Sequence, residues 1–132
     1  MKKVSVRRRK GYAHALAIRH HTLVMDEPEE LGGTDTGPTP QELLAASLGS
    51  CTAVTVEMYA ERKGWDVGPL EVEVGYEKDE KGQPVRFDVL LKLPAELSAE
   101  QVERLRMIAA KCPVHRALVA GDASIEDRVE QA

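Results

Sequence analysis

Between Thr39 and Gly64 the chain reads TPQELLAASLGSCTAVTVEMYAERKG, one uninterrupted helical signal. Thr39 is an N-cap residue, and Pro40 follows at the first helical position, where its fixed φ and missing N–H do no harm. Glu42 stands three residues after Thr39 and completes a capping box. Lys63-Gly64 ends the segment with a cation for the helix dipole and a glycine for a left-handed cap. Leu44, Leu48, Cys51, Val54 and Met58 recur at helical spacing and are expected to face inward. Small residues crowd the centre of the segment. Gly49 costs about 1 kcal/mol relative to Ala inside a helix, so it predicts a neighbour that approaches closely.

The flanks have a different period. Residues 3–9, KVSVRRR, alternate apolar and polar as a strand does, and Lys10-Gly11 is a turn signal. YAHALAIR and TLVMDEP extend this into a meander of two or three strands. Asp26–Pro40 is a loop rich in proline and glycine, long enough to suggest a function. LEVEVGYEKD and VRFDVLLKL form a second strand pair around Lys81-Gly82 and Pro84. Ser98 caps a second helix with a Ser-x-x-Gln box, and its inner stripe is Val102, Leu105, Ile108, Ala109 and Cys112. Pro113 breaks or kinks that helix, VHRALVAG is a short turn or helix, and ASIEDRVEQ is expected as a last edge strand. Hairpins followed by helices place residues 1–132 in one domain of the α+β class, with antiparallel sheet.

Charge narrows the partners. The first ten residues carry six positive charges and no negative one, so the net −4 of the chain leaves −10 for the rest. That acidic remainder, and the lack of interleaved aromatics, argue against nucleic acid as a partner. No apolar run reaches the roughly 20 residues that span a bilayer, so no membrane partner is expected. Two cysteines without a signal peptide point to a reducing, cytoplasmic setting.

Cys51 and Cys112 are the candidate chemistry, and three readings stand beside each other. They can be inert core thiols, since free cysteine packs as a small hydrophobe. They can be a thiol–disulfide pair, if the two helices meet. Such a pair reacts with peroxide through a sulfenic acid that the second thiol condenses with. An Arg or Lys would have to favour the thiolate of Cys51, and Arg19, Arg116 and Arg7–Arg9 are the candidates. The third reading is a metal site, since Cys112-x-x-His115 has ligand spacing and His20-His21 offers more nitrogen. It lacks the second close pair that zinc wants, so no metal is expected. GGTDTG fits no phosphate-binding motif.

LGGTDTGPTPQELLAASLGSCTAVTVEMYAERKGW, with the later KCPVHRAL, resembles the OsmC/Ohr family of osmotically induced and organic hydroperoxide resistance proteins. The resemblance implies antiparallel sheets around two long central helices in an intertwined homodimer, with sites at the subunit interface. It implies a thiol-dependent peroxidase that reduces organic hydroperoxides in oxidative-stress defence. Such an enzyme has no bound cofactor and draws on an external thiol or dithiol reductant. Cys51 then matches the peroxidatic cysteine and Cys112 the resolving one. Gly49 and its small neighbours would admit close helix–helix contact. The family's catalytic Arg lies in the N-terminal half, where Arg19 is the candidate. A Glu ten residues before the first cysteine positions that Arg in well-studied members. Here that position is Gln41, and the adjacent Glu42 is the candidate for the role. An apolar pocket lined by Leu44, Leu48, Met58 and residues of a partner chain would admit bulky hydroperoxides. The substitution at Gln41 also motivates an alternative, a catalytically weak redox-sensing or small-molecule-binding protein of the same fold.

Overall fold

The computed structural model describes residues 1–131. The chain is α+β, in two compact units divided between Ala46 and Ser47.

The N-terminal unit is an antiparallel meander, β1 (Ser5–Lys10), β2 (Ala13–Ile18) and β3 (His21–Met25), in the order β1-β2-β3. Its register sets Ser5 opposite Ala17 and His14 opposite Met25, with an irregularity between Arg8 and Lys10. Every residue of β1 is exposed, so the arginine run lies along an open sheet edge. The loop that follows is tied around one carboxylate. Asp26 is fully buried, and its oxygens accept from the backbone N–H groups of Glu27, Thr34 and Thr36 and from both threonine hydroxyls. These donors hold its carboxyl well below the usual range, the Thr34 hydroxyl most of all, against the opposing effect of burial. Any Cβ at Gly33 or Gly37 would collide with the carbonyl of Glu27 or of Val24. GGTDTG is therefore a clasp, and its glycines make room for the backbone.

Helix α1 (Pro40–Lys63) starts as the capping box predicts: Glu42 N–H donates to Thr39 Oγ1 at 3.1 Å, and Thr39 N–H to Glu42 Oε1 at 2.8 Å. It is 24 residues long, and its most apolar window has a mean hydropathy of 1.3. By length and composition it could cross a membrane, which corrects the expectation that no segment here reaches that threshold. Its buried residues nevertheless pack inside the protein, as in a core helix.

The C-terminal unit pairs β4 (Glu71–Lys78) with β5 (Pro84–Lys92), antiparallel, and adds α2 (Ala99–Ala109) and α3 (Pro113–Ala120). Ser98 caps α2 through the expected box. The core joins Val56, Tyr59 and Ala60 of α1 to Leu105, Ile108 and Ala109 of α2, with Trp65, Leu91 and Leu93 against them. Tyr59 is fixed at its rim by a 2.8 Å hydrogen bond from Arg104 Nε.

Several expectations change. The inward face of α1 in this unit is Leu48, Gly49, Thr52, Val56, Tyr59 and Ala60. Of the predicted stripe only Leu48 is buried; Val54 and Met58 are 48% and 61% exposed. The face that sheet and α2 cover lies about one residue further round the helix than the predicted stripe. Gly49 does meet a close neighbour, but it is a strand side chain: a Cβ there would lie 3.0 Å from Val74 Cγ2 of β4. Among the described residues α1 has 24 residues and α2 has 11. Val102 is exposed on α2. The predicted last strand over 123–131 does not form. Ile125 and Val129 stay 86% and 91% exposed.

Candidate active site

The two cysteines belong to the C-terminal unit and face each other. Cys51 sits mid-helix on α1, at the margin of its buried face, and is partly accessible. Cys112 is fully buried and lies just beyond α2. Pro113 forces this placement. The residue before a proline is pushed out of the helical region, and Cys112 has φ −57 and ψ 135. Cys112 thereby becomes the N-cap of α3, with Pro113 at the first helical position. Its Sγ accepts from His115 N–H at 3.3 Å, as a capping hydroxyl would.

Both thiols are free, and each perturbs the other's titration. Three further donors complete the environment. Val114 N–H bears on both sulfurs, and the hydroxyls of Thr52 and Thr55 reach Cys112 and Cys51 respectively. The consequences differ for the two groups. Burial pushes the Cys51 thiol up, and the proton it shares with Cys112 keeps it there. Burial also acts to raise Cys112, but the hydrogen bonds from Cys51, His115, Thr52 and Val114 outweigh it and hold this thiol below its ordinary value.

Two largely apolar cavities lie near the pair, bordered by its neighbours Thr52 and His115 rather than by the sulfurs themselves. One, of about 470 Å3, is lined by Thr52, Phe87, Leu91, Val102 and Ala109, with Arg106 at its side. The other, of about 480 Å3, is lined by Leu48, Val85, Phe87, Leu118 and Val119. His115 lines both. Of the predicted pocket residues Leu48 is present, whereas Met58 points to solvent because its row of α1 is the uncovered one.

The remaining candidates lie elsewhere in the chain. Arg19 is exposed in the β2–β3 turn at φ 56, and Glu42 is exposed with Oε1 engaged by the Thr39 N–H; both belong to the N-terminal unit. Arg116 is exposed on α3, and its backbone N–H closes the first turn on Cys112 O at 3.0 Å. Among the described residues no group of three or more His, Cys, Asp and Glu is placed to hold a metal ion. Sequence reading missed Thr52, Thr55 and the N–H groups of α3. The signal for the hydroxyls was present in SCTAVT, which puts threonines one and four positions after Cys51, on the helix face and the next turn.

An antiparallel α+β chain with two apposed thiols at a helix N-terminus defines a class of cysteine-bearing proteins. The OsmC-like protein family matches residues 33–126, and the chain belongs to that family. Solved structures agree in fold. An osmotic stress induced and detoxification response protein from Psychrobacter arcticus superposes with a TM-score of 0.81 at 19% identity, over 89% of this chain and 88% of that one. An OsmC-like protein from Mycoplasma pneumoniae gives 0.78 at 13% identity, over 90% and 87%. The organic hydroperoxide resistance protein of Bacillus subtilis gives 0.57 at 24% identity, over 89% of each chain. No curated protein matches by sequence.

Proposed function

We propose that this protein is a thiol peroxidase that reduces organic hydroperoxides through Cys51 and Cys112. The observation that carries the reading is the apposition of two free thiols, one on α1 and one capping α3, with largely apolar cavities near them. Family membership supports it. In the proposed cycle Cys51, as thiolate, attacks the outer peroxide oxygen. The O–O bond breaks, alkoxide leaves, and Cys51 becomes a sulfenic acid. Cys112 thiolate attacks that sulfur, expels hydroxide and forms a disulfide. An external thiol or dithiol then reduces the disulfide by exchange, and no bound cofactor takes part. Cavities of this size and lining suit an apolar R group on ROOH. Arg19 and Glu42 enter the proposal as auxiliary catalytic groups whose removal should slow the first step. Two free cysteines fit a reducing compartment, and the cytoplasm is the proposed site of action.

The test is steady-state consumption of cumene hydroperoxide with a dithiol donor. Cys51→Ser should abolish it, and Cys112→Ser should allow one turnover and accumulate sulfenic acid. Wild-type turnover by Cys51→Ser would overturn the reading. One feature favours a second reading, a redox sensor: burial pushes the Cys51 thiol up, which disfavours the attacking thiolate. A sensor would consume peroxide once per chain and stop even with dithiol in excess.

A further inference from the structure

We propose that a third cavity, between the C-terminal end of α1 and the face of α2, is a binding site for a small aromatic carboxylate. It measures about 820 Å3 and shares no lining residue with the two cavities near the thiols. Tyr59, Lys63 and Trp65 line it from the end of α1, and Arg104 and Met107 line it from α2.

Local structure sets these side chains in place. Tyr59 and Lys63 are four residues apart on α1 and share a face. Gly64, at φ 72, closes that helix. Its N–H donates to Glu61 O at 3.1 Å and Trp65 N–H to Ala60 O at 2.9 Å, the paired bonds of a Schellman turn. The turn brings the Trp65 ring edge-on to Tyr59, with centroids 5.8 Å apart. Arg104 and Met107 are three residues apart on α2 and also share a face. Arg104 Nε donates to Tyr59 Oη at 2.8 Å and ties the two walls together.

This cavity has donors that lack acceptors. The Tyr59 oxygen accepts from Arg104, which leaves its O–H hydrogen and the Arg104 Nη hydrogens to give. Arg62, Lys63 and Arg104 stand 5.9, 5.7 and 5.6 Å from the centre of the Tyr59 ring. Among the described residues no ion pair includes any of these three cations. The acceptors nearby are committed elsewhere. Glu103 holds Arg106 with both oxygens, and Ser98 and Gln101 hold each other in the capping box. Glu100 lines the cavity without pairing to Lys63 or Arg104. The carbonyl end of α1 adds roughly half a negative charge, which offsets only part of three cations. Their excess is felt by Tyr59: the Arg104 hydrogen bond, with the charges of Lys63 and Arg62, holds the phenol below its ordinary titration against the effect of burial.

An anion supplies what such a cluster lacks, and the two oxygens of a carboxylate match the planar guanidinium fork. The rest of the lining selects the body of the ligand. Tyr59, Trp65 and Met107 offer two ring systems and a thioether, which favour an aromatic ring. The volume suits an acid of one or two rings.

Trp65 is the only tryptophan of the chain, so its emission reads this cavity directly. The experiment titrates the full chain with benzoate at constant ionic strength, with benzyl alcohol, acetate and inorganic phosphate in parallel. Benzoate should change the emission saturably, with half-saturation at about 1 mM or below, and the other three should need at least about tenfold more. Arg104→Met should weaken benzoate by at least about tenfold, and Arg104→Lys should recover only part of the loss, since lysine has no fork. Tyr59→Phe keeps the core ring, removes only the hydroxyl, and should weaken benzoate by about threefold or more. Arg86→Gln, which removes a cation from β5, should bind as wild type. The site is overturned by a wild type with no saturable response, by acetate, phosphate or benzyl alcohol binding as tightly as benzoate, by wild-type affinity in Arg104→Met and Tyr59→Phe, or by an equal loss in Arg86→Gln. No thiol takes part, so the outcome is independent of the peroxidase reading.

Discussion

A buried aspartate and a buried cysteine are stabilised here by one device, convergent donors. Asp26 takes five hydrogen bonds in the N-terminal loop, and Cys112 takes those of α3 and Thr52. For Asp26 the consequence is a stability that depends on acid. Its folded carboxyl titrates below the unfolded one, so its contribution is complete at neutral pH. The contribution declines as pH falls below roughly 4, where the unfolded chain binds the proton first. Asp26→Asn should lower the melting temperature at pH 7 and flatten the melting temperature's dependence on acid, measured by calorimetry across that range. An amide would set an NH2 against donors that all point inward. A melting temperature unchanged at neutral pH would show that the clasp is not stabilising. The sequence displayed the two cysteines and the GGTDTG loop, but not what they touch. Donors from Thr34, Thr36, Thr52 and the α3 backbone come from positions that only the fold brings together. The resemblance supplied Cys51 and Cys112 as a pair, and periodicity alone left them as inert thiols, a redox couple or half a metal site.

Elements were more legible than their faces. Capping boxes at Thr39 and Ser98, the strand pairs and the break at Pro113 are local signals, and the chain obeys them. The inner face of α1 is not a local property. Leu44 to Met58 and Leu48 to Ala60 are both plausible stripes on one apolar helix, and the strand and helix that pack on it decide between them. Gly49 marks the chosen side, because Val74 of β4 rests where its side chain would be. Gly49→Val should therefore push β4 away from α1 and destabilise the protein by roughly 1–3 kcal/mol, as overpacked cores do. Urea unfolding should show a lower midpoint with an unchanged slope. A midpoint equal to wild type would mean that β4 yields freely. The missing last strand at 123–131 follows from the same limit, since alternation marks a segment that could pair but does not supply the pairing.

The whole molecule leaves one face of its longest helix uncovered. At about 100° per residue, Ser47, Cys51, Val54 and Met58 share a row, while Leu48, Thr52, Val56 and Tyr59 form the buried one. Val54 and Met58 are 48% and 61% exposed on that open row, and Cys51 sits at its edge. Apolar side chains on an amphipathic helix belong against a partner. We propose that the partner is a second copy of this chain, so that the reactive thiol opens onto a subunit boundary. A charge placed in such an interface would be desolvated without a counter-ion. Met58→Glu should therefore split the assembly from twice 14.5 kDa to a 14.5 kDa monomer in sedimentation equilibrium. The core around Val56, Tyr59 and Ala60 lies on another face of α1, so the variant should still fold. Hydroperoxide turnover should fall by about tenfold or more, because the wall beyond Cys51 is lost and the near-attack geometry with it. A wild type that sediments as a monomer at working concentration, with full turnover, would place the whole reaction within one chain and leave Val54 and Met58 as surface residues without a partner.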